Sequence, residues 1–72
     1  MNLNKKIGTR ITILRKKQNK TLEKLAYESE ISKGGLSEIE RGKREIRIST
    51  LLKICDTLDI TLKEFFDFEL KN

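Results

Sequence analysis

Lys33, Gly34, Ser37 and Glu38 stand within one stretch of six residues and could meet the hydrogen-bonding edge of another molecule. A lysine ammonium only donates, an ionised carboxylate only accepts, a serine hydroxyl does both, and glycine leaves room for close approach. All four belong to the segment Ser32–Arg44, SKGGLSEIERGKR, which predicts a short helix. Ser32 can cap it by accepting from backbone N–H groups of the first turn, and Gly42 suits the left-handed position past its end. Leu36 and Ile39, three apart, give one apolar edge too narrow to bury the helix all round. The other face carries Lys33, Gly34, Ser37, Glu38 and Arg41. A helix of this size, polar towards its N-terminus, is what the major groove of duplex DNA admits.

Lys33 can donate to guanine O6 or N7, and Ser37 can serve several bases; the alternative is that both are solvated side chains on an exposed helix. Glu38 would be repelled by phosphate unless it accepts from a cytosine amino group, and an ion pair with Arg41 competes with that reading. Gly34 and Gly35 each cost a helix about 1 kcal/mol against alanine, so they suggest close approach to a base or to sugar-phosphate, or else a frayed first turn. Arg41, Lys43, Arg44 and Arg47 cluster just past the helix as phosphate candidates. Arg15 and Lys17 could flank the same groove, with Ser32 and Gly35 at the helix start. Such contacts position a protein and carry no sequence code. Glu40 reads as structural, paired with a basic residue of the unit that this helix forms with the one before it.

Five helices are expected to hold these groups in place, with no stretch of period-two alternation long enough for a strand. The first spans about residues 4–18, with Ile7, Ile11 and Leu14 as its core stripe. Thr21 caps the second, TLEKLAYES, whose apolar set is Leu22, Leu25 and Ala26 and whose Glu23 favours the positive N-terminus. After the third helix comes a loop over residues 43–48, anchored by Ile46 and Ile48. Ser49 or a neighbour starts the fourth helix, with Leu51, Ile54, Cys55 and Leu58 at helical spacing. Thr61 and Glu64 form a capping box at the start of the short fifth helix. Phe65 belongs to the core and Phe66 partly so. Phe68 and Leu70 fall beyond the last helix, where a small monomer has little to cover them, so they suggest a partner, or else a loose tail.

The 72 residues make one domain, with a core over residues 4–67 and a tail over 68–72. Sixteen Lys/Arg against eleven Asp/Glu give a net charge of +5, and the balance is polarised. Residues 1–20 carry Lys5, Lys6, Arg10, Arg15, Lys16, Lys17 and Lys20 with no acid, whereas Asp56, Asp59, Glu64, Asp67 and Glu69 crowd the far end. One cysteine and no histidine exclude an internal disulfide and leave no zinc set. Cys55 reads as a small core residue rather than a reactive thiol. No metal, cofactor or small-molecule ligand is expected. No apolar run reaches membrane-spanning length and no signal-peptide pattern is present, so a cytoplasmic protein off the membrane is expected.

The strings IGTRITILRKKQNKTLEKLA, ISKGGLSEIERGKR and STLLKICDTLDITLKEFF resemble the Xre/Cro-type helix-turn-helix family over residues 7–66, without insertions. The chain is also similar to small stand-alone members, including controller proteins of restriction–modification systems. The resemblance implies an all-α, five-helix phage-repressor-like fold. Its second helix would cross the phosphate backbone while the third enters the major groove. It puts Ala26 where those helices cross and gives Leu36 and Ile39 the task of holding the recognition helix. Three positions depart from the pattern. Leu22 replaces a glutamine that often touches phosphate, which would shift that contact to Thr21 and the helix N-terminus. Glu30 replaces a glycine at the turn, and Glu45-Ile46 replaces a proline-containing turn.

The resulting expectation is a sequence-specific regulator of transcription that binds double-stranded DNA as a homodimer. The family commonly pairs through its fourth and fifth helices, and here Phe66, Phe68 and Leu70 would form that interface. The rival is an antitoxin-like or adaptor module whose apolar end binds a second polypeptide. An enzyme is not expected, because no histidine and no nucleophile–base pair is present and a domain this small leaves little room for a pocket.

Overall fold

The computed structural model describes residues 2–69. Among these, five helices follow one another without a strand: α1 Leu3–Lys17, α2 Leu22–Glu28, α3 Lys33–Glu40, α4 Ile48–Thr57 and α5 Leu62–Phe65. Four have side-chain caps. Asn2, Thr21, Ser32 and Thr61 each accept from a backbone N–H three residues on. Thr61 and Glu64 complete a capping box, with Thr61 N donating to Glu64 Oε1 at 2.8 Å and Glu64 N to Thr61 Oγ1 at 3.0 Å. Helix α4 begins beside Ser49, as expected, and takes in Ile48 from the end of the expected loop. It starts at Ile48 after Arg47, which provides no side-chain cap.

Four turns close in left-handed backbone. Gly42 has φ 74°, as its place after α3 predicts, and Asn19, Glu30 and Asp59 have φ 56°, 58° and 56°. Asn and Asp tolerate that region through their short polar side chains, whereas Glu30 has no such help. Glu30 therefore carries strain where the family pattern has glycine.

The core gathers Ile7 and Ile11 of α1, Leu25 and Ala26 of α2, Leu36 and Ile39 of α3, Leu51, Ile54 and Cys55 of α4, then Leu58 and Phe65. Leu14, Leu22 and Ile46 pack against it half-buried. Ile48 departs from expectation: it is 63% exposed, because α4 begins there and its first residue turns outward. Burial pushes the Cys55 thiol up from its ordinary value, which makes it a poor nucleophile and a core side chain.

Helix α1 is the frame. A Cβ at Gly8 would run into the backbone carbonyls of Ile39 and Glu40, so glycine there lets α1 lie directly on the end of α3. Its polar side chains donate to carbonyl groups at the ends of other helices. Arg10 Nε and Nη2 donate to Phe65 O and Glu64 O at 2.7 and 2.8 Å, and Gln18 Nε2 donates to Leu58 O at 2.7 Å. Phe68 also departs from expectation. It folds back half-buried, its ring stacked on Phe66 at 6.2 Å and edge-on to Phe65 at 6.3 Å, with the Arg10 guanidinium 5.3 Å from its centre. The interface reading of Leu70 falls outside the described residues.

Candidate nucleic-acid interface

Helix α3 is fixed along one edge and polar along the other. Leu36 is fully buried, Ile39 is nearly so, and Gly35 joins them. The Ser32 hydroxyl accepts from Gly35 N at 3.0 Å and starts the helix. At the far end Glu40 is clamped to α1. Arg15 Nε donates to Glu40 Oε2 at 2.8 Å, Arg15 Nη2 to Oε1 at 3.0 Å, and the Thr12 hydroxyl to Oε1 at 2.8 Å. Glu40 is thus structural as expected, although its partner lies on α1 and not within α2 and α3. That hydrogen bond raises Arg15 above the ordinary arginine value.

The clamp corrects the reading of Arg15 as a phosphate contact. Its Nη1 donates to Lys20 O at 2.9 Å, so every nitrogen is engaged inward and the side chain is only 12% exposed. Gly35 is corrected as well. It is buried, and a Cβ there would crowd the Ser32 hydroxyl at 2.8 Å and Arg44 Nη1 at 3.4 Å, so its missing side chain serves the cap and not an approaching backbone. Gly34 differs, being exposed with open space around its Cα.

The remaining candidates form one surface. Lys33 and Gly34 are exposed on the first turn of α3, Ser37 and Glu38 lie half-buried one turn on, and Arg41 is exposed at its end. Glu38 does not pair with Arg41, whose Nε donates weakly to Ser37 O at 3.3 Å. Its partner is Arg44, Nη2 to Oε1 at 2.6 Å, because the chain doubles back through Gly42 and returns the basic loop to the helix. Lys43 and Arg47 are exposed on that loop and Lys17 at the end of α1. Thr21 Oγ1 is occupied in capping, accepting from Lys24 N at 3.0 Å.

The sequence reading missed Glu23 in this surface. Its Oε2 lies 3.1 Å from Lys33 Nζ, bridging the first turn of α2 to the first residue of α3. The carboxyl is held below the usual glutamate range, first by a hydrogen bond from its own backbone N–H and then by Lys33. Ten residues separate the two in sequence, a spacing that no helical periodicity connects.

Two short helices joined by a tight turn, the second anchored by one edge and polar on the other, define a helix-turn-helix unit. The chain belongs to the helix-turn-helix family HTH_3, the Xre-like group, whose profile matches residues 11–65. It is 41% identical over 64 residues to the HTH-type transcriptional regulator SlrR of Bacillus subtilis (strain 168), covering 88% of this chain and 42% of that protein. It is 36% identical over 52 residues to the control protein C.BamHI of Bacillus amyloliquefaciens, covering 72% of this chain and 64% of that one. The chain therefore spans less than two thirds of the length of either relative. Among solved structures it superposes on the restriction–modification controller protein C.AhdI of Aeromonas hydrophila with a TM-score of 0.84 at 32% identity, covering 88% of this chain and 96% of that one. Among the described residues no helix is long and apolar enough to cross a membrane.

Proposed function

We propose that this chain regulates transcription as a homodimer that binds one operator sequence in double-stranded DNA. The observation that carries the reading is α3 itself. Its apolar edge and its Glu40 end are locked to the core while Lys33, Gly34, Ser37 and Glu38 face outward. A reading head needs that combination, since base contacts discriminate only if the side chains arrive in a fixed register. Lys33, Ser37 and Glu38 read base edges, and Gly34 lets the helix approach closely. Ser32, Thr21, Arg41, Lys43, Arg44, Arg47 and Lys17 line the groove as phosphate contacts.

We place the dimer contact on α4 together with Phe66. Ile48 and Leu52 stand one turn apart and are 63% and 48% exposed, and Phe66 and Ile48 line one apolar groove. Phe68 is used within the protomer. Paired protomers would place two α3 helices on half-sites about one turn of DNA apart.

Selection from random duplexes, followed by titration of the recovered site and a scrambled one, tests the reading. Lys33→Ala should cost about 1–3 kcal/mol on the selected site and much less on the scrambled one. No enriched sequence, or equal losses on both duplexes, would refute it. The exposed pair Ile48 and Leu52 also supports a second reading, an adaptor that binds another polypeptide through α4. In that case function would survive Lys33→Ala.

A further inference from the structure

Glu23 contributes a negative charge to the surface that the proposed function turns towards phosphate, where a carboxylate repels any DNA. Its pairing with Lys33 does not explain its presence as a stabilising device. Both side chains are 63% exposed, and exposed pairs of this kind stabilise folds little. The two helices are already joined through Leu25, Ala26 and Leu36, all buried. The pairing matters for what Lys33 can reach.

We infer that Glu23 is a specificity-determining residue: it holds the Lys33 ammonium beside the first turn of α3 and so lowers its tendency to swing to a phosphate. The inference rests on Lys33 being a base contact, as proposed above. A lysine is a compact charge on a flexible stem and, left free, turns to the nearest phosphate oxygen on any sequence. Held by Glu23 through one of its three N–H donors, it keeps two for the O6 and N7 acceptors of a guanine. The Glu23 carboxyl is held below the usual glutamate range, first by the hydrogen bond from its own backbone N–H and then by Lys33, so it stays charged as the partner of that ammonium. The acid thus weakens non-specific binding while leaving guanine readout open. The Glu38–Arg44 pair sets a second carboxylate against a second cation of the same surface. Restraint of cations by acids is therefore a property of this face and not of one side chain.

The experiment uses the full chain, the selected duplex and a scrambled duplex of equal length, titrated by fluorescence anisotropy across a salt series. Wild type, Glu23→Gln, Lys33→Ala and the double variant are compared. Glu23→Gln should bind the scrambled duplex roughly two- to fivefold tighter, the range of an exposed ion pair. Its salt slope there should steepen by about 0.9, one added phosphate contact. The ratio of selected to scrambled affinity should fall by a similar factor, and all these changes should vanish in the double variant. Unchanged affinity and slope in Glu23→Gln would overturn the inference. So would a gain that persists without Lys33, since the acid would then act by repulsion alone. A wild-type protein that prefers no sequence would instead refute the underlying function, a separate result visible before any variant is read.

Discussion

Removing the Glu40 carboxylate should do more damage than any other single polar deletion in the domain. It accepts three hydrogen bonds, two from Arg15 at 2.8 and 3.0 Å and one from Thr12 at 2.8 Å. Glu40→Ala leaves the Arg15 guanidinium, 12% exposed, with Lys20 O as its remaining partner. Hydrogen bonds to charged groups contribute about 1.5–3 kcal/mol each, but these three act as a unit and do not add. Stranding one member of a buried pair costs about 3–5 kcal/mol, and the slight exposure here admits water and favours the lower end, about 3. A domain of this length holds roughly 4–11 kcal/mol in all, so the loss is a large share. At about 4–8 °C per kcal/mol, melting should fall by roughly 12–24 °C. Circular dichroism melts of Glu40→Ala, Arg15→Met and the apolar double variant Arg15→Met/Glu40→Leu would measure it. The double variant should recover most of the loss, because no charge is left unpaired. A Glu40→Ala melt within about 3 °C of wild type would refute the clamp, as would a double variant no better than the sum of the singles.

Three further outcomes are expected. Gly8→Ala should destabilise by about 1–3 kcal/mol or more, since the new methyl meets the backbone carbonyls of Ile39 and Glu40 and neither can move aside cheaply; an unchanged urea midpoint would refute the close crossing. Glu28 is held below its ordinary value by the Lys20 ammonium at 2.7 Å, and Glu64 by the backbone N–H of Thr61. Folded values below the unfolded one, about 4.3, give stability that is present above that pH and lost as pH falls through the folded values; a urea midpoint that rises on acidification would contradict this. Ile48→Asp/Leu52→Asp should leave the helical spectrum intact and shift the protein to monomer in sedimentation, whereas Phe68→Ala should lower the melting temperature and leave assembly unchanged; the reverse pattern would return the interface to the tail.

The fold was legible wherever its cause was local. Caps at Thr21, Ser32 and Thr61 and the left-handed Gly42 are short-range chemistry, and the core stripes of α1 and α4 are simple periodicities. What could not be read depends on residues distant in sequence. Arg15 and Glu40 are 25 residues apart and Arg10 reaches Phe65 across 55, so nothing in either neighbourhood marks the partner. A basic residue beside Lys16 and Lys17 looks like part of a solvated or phosphate-facing run, and only the approach of α1 and α3 turns Arg15 inward. Phe68 followed the same logic in reverse. It looked uncovered because the helix before it had ended; the chain folds it back on its near neighbours Phe65 and Phe66, and the cover from Arg10 on α1 is the part that nothing nearby marks.

The candidate site shows where composition misleads. Read as a charge balance, this face is a set of cations waiting for phosphate, and its glutamates are incidental. In the fold, Lys33 lies 3.1 Å from Glu23 and Arg44 lies 2.6 Å from Glu38, so on the proposed function two of its cations would meet DNA only by sharing or exchanging a carboxylate. Exposed pairs exchange at low cost, so neither blocks binding. They set a condition on it. A phosphate offers one kind of replacement contact everywhere along a duplex, while a guanine edge or a cytosine amino group offers its contact at one place. Acids that hold the cations of a reading helix therefore subtract from every complex alike, and the correct bases give back more than the wrong ones. On the proposed function, net charge would draw the protein to DNA, and the internal pairs would decide how much of that attraction depends on sequence.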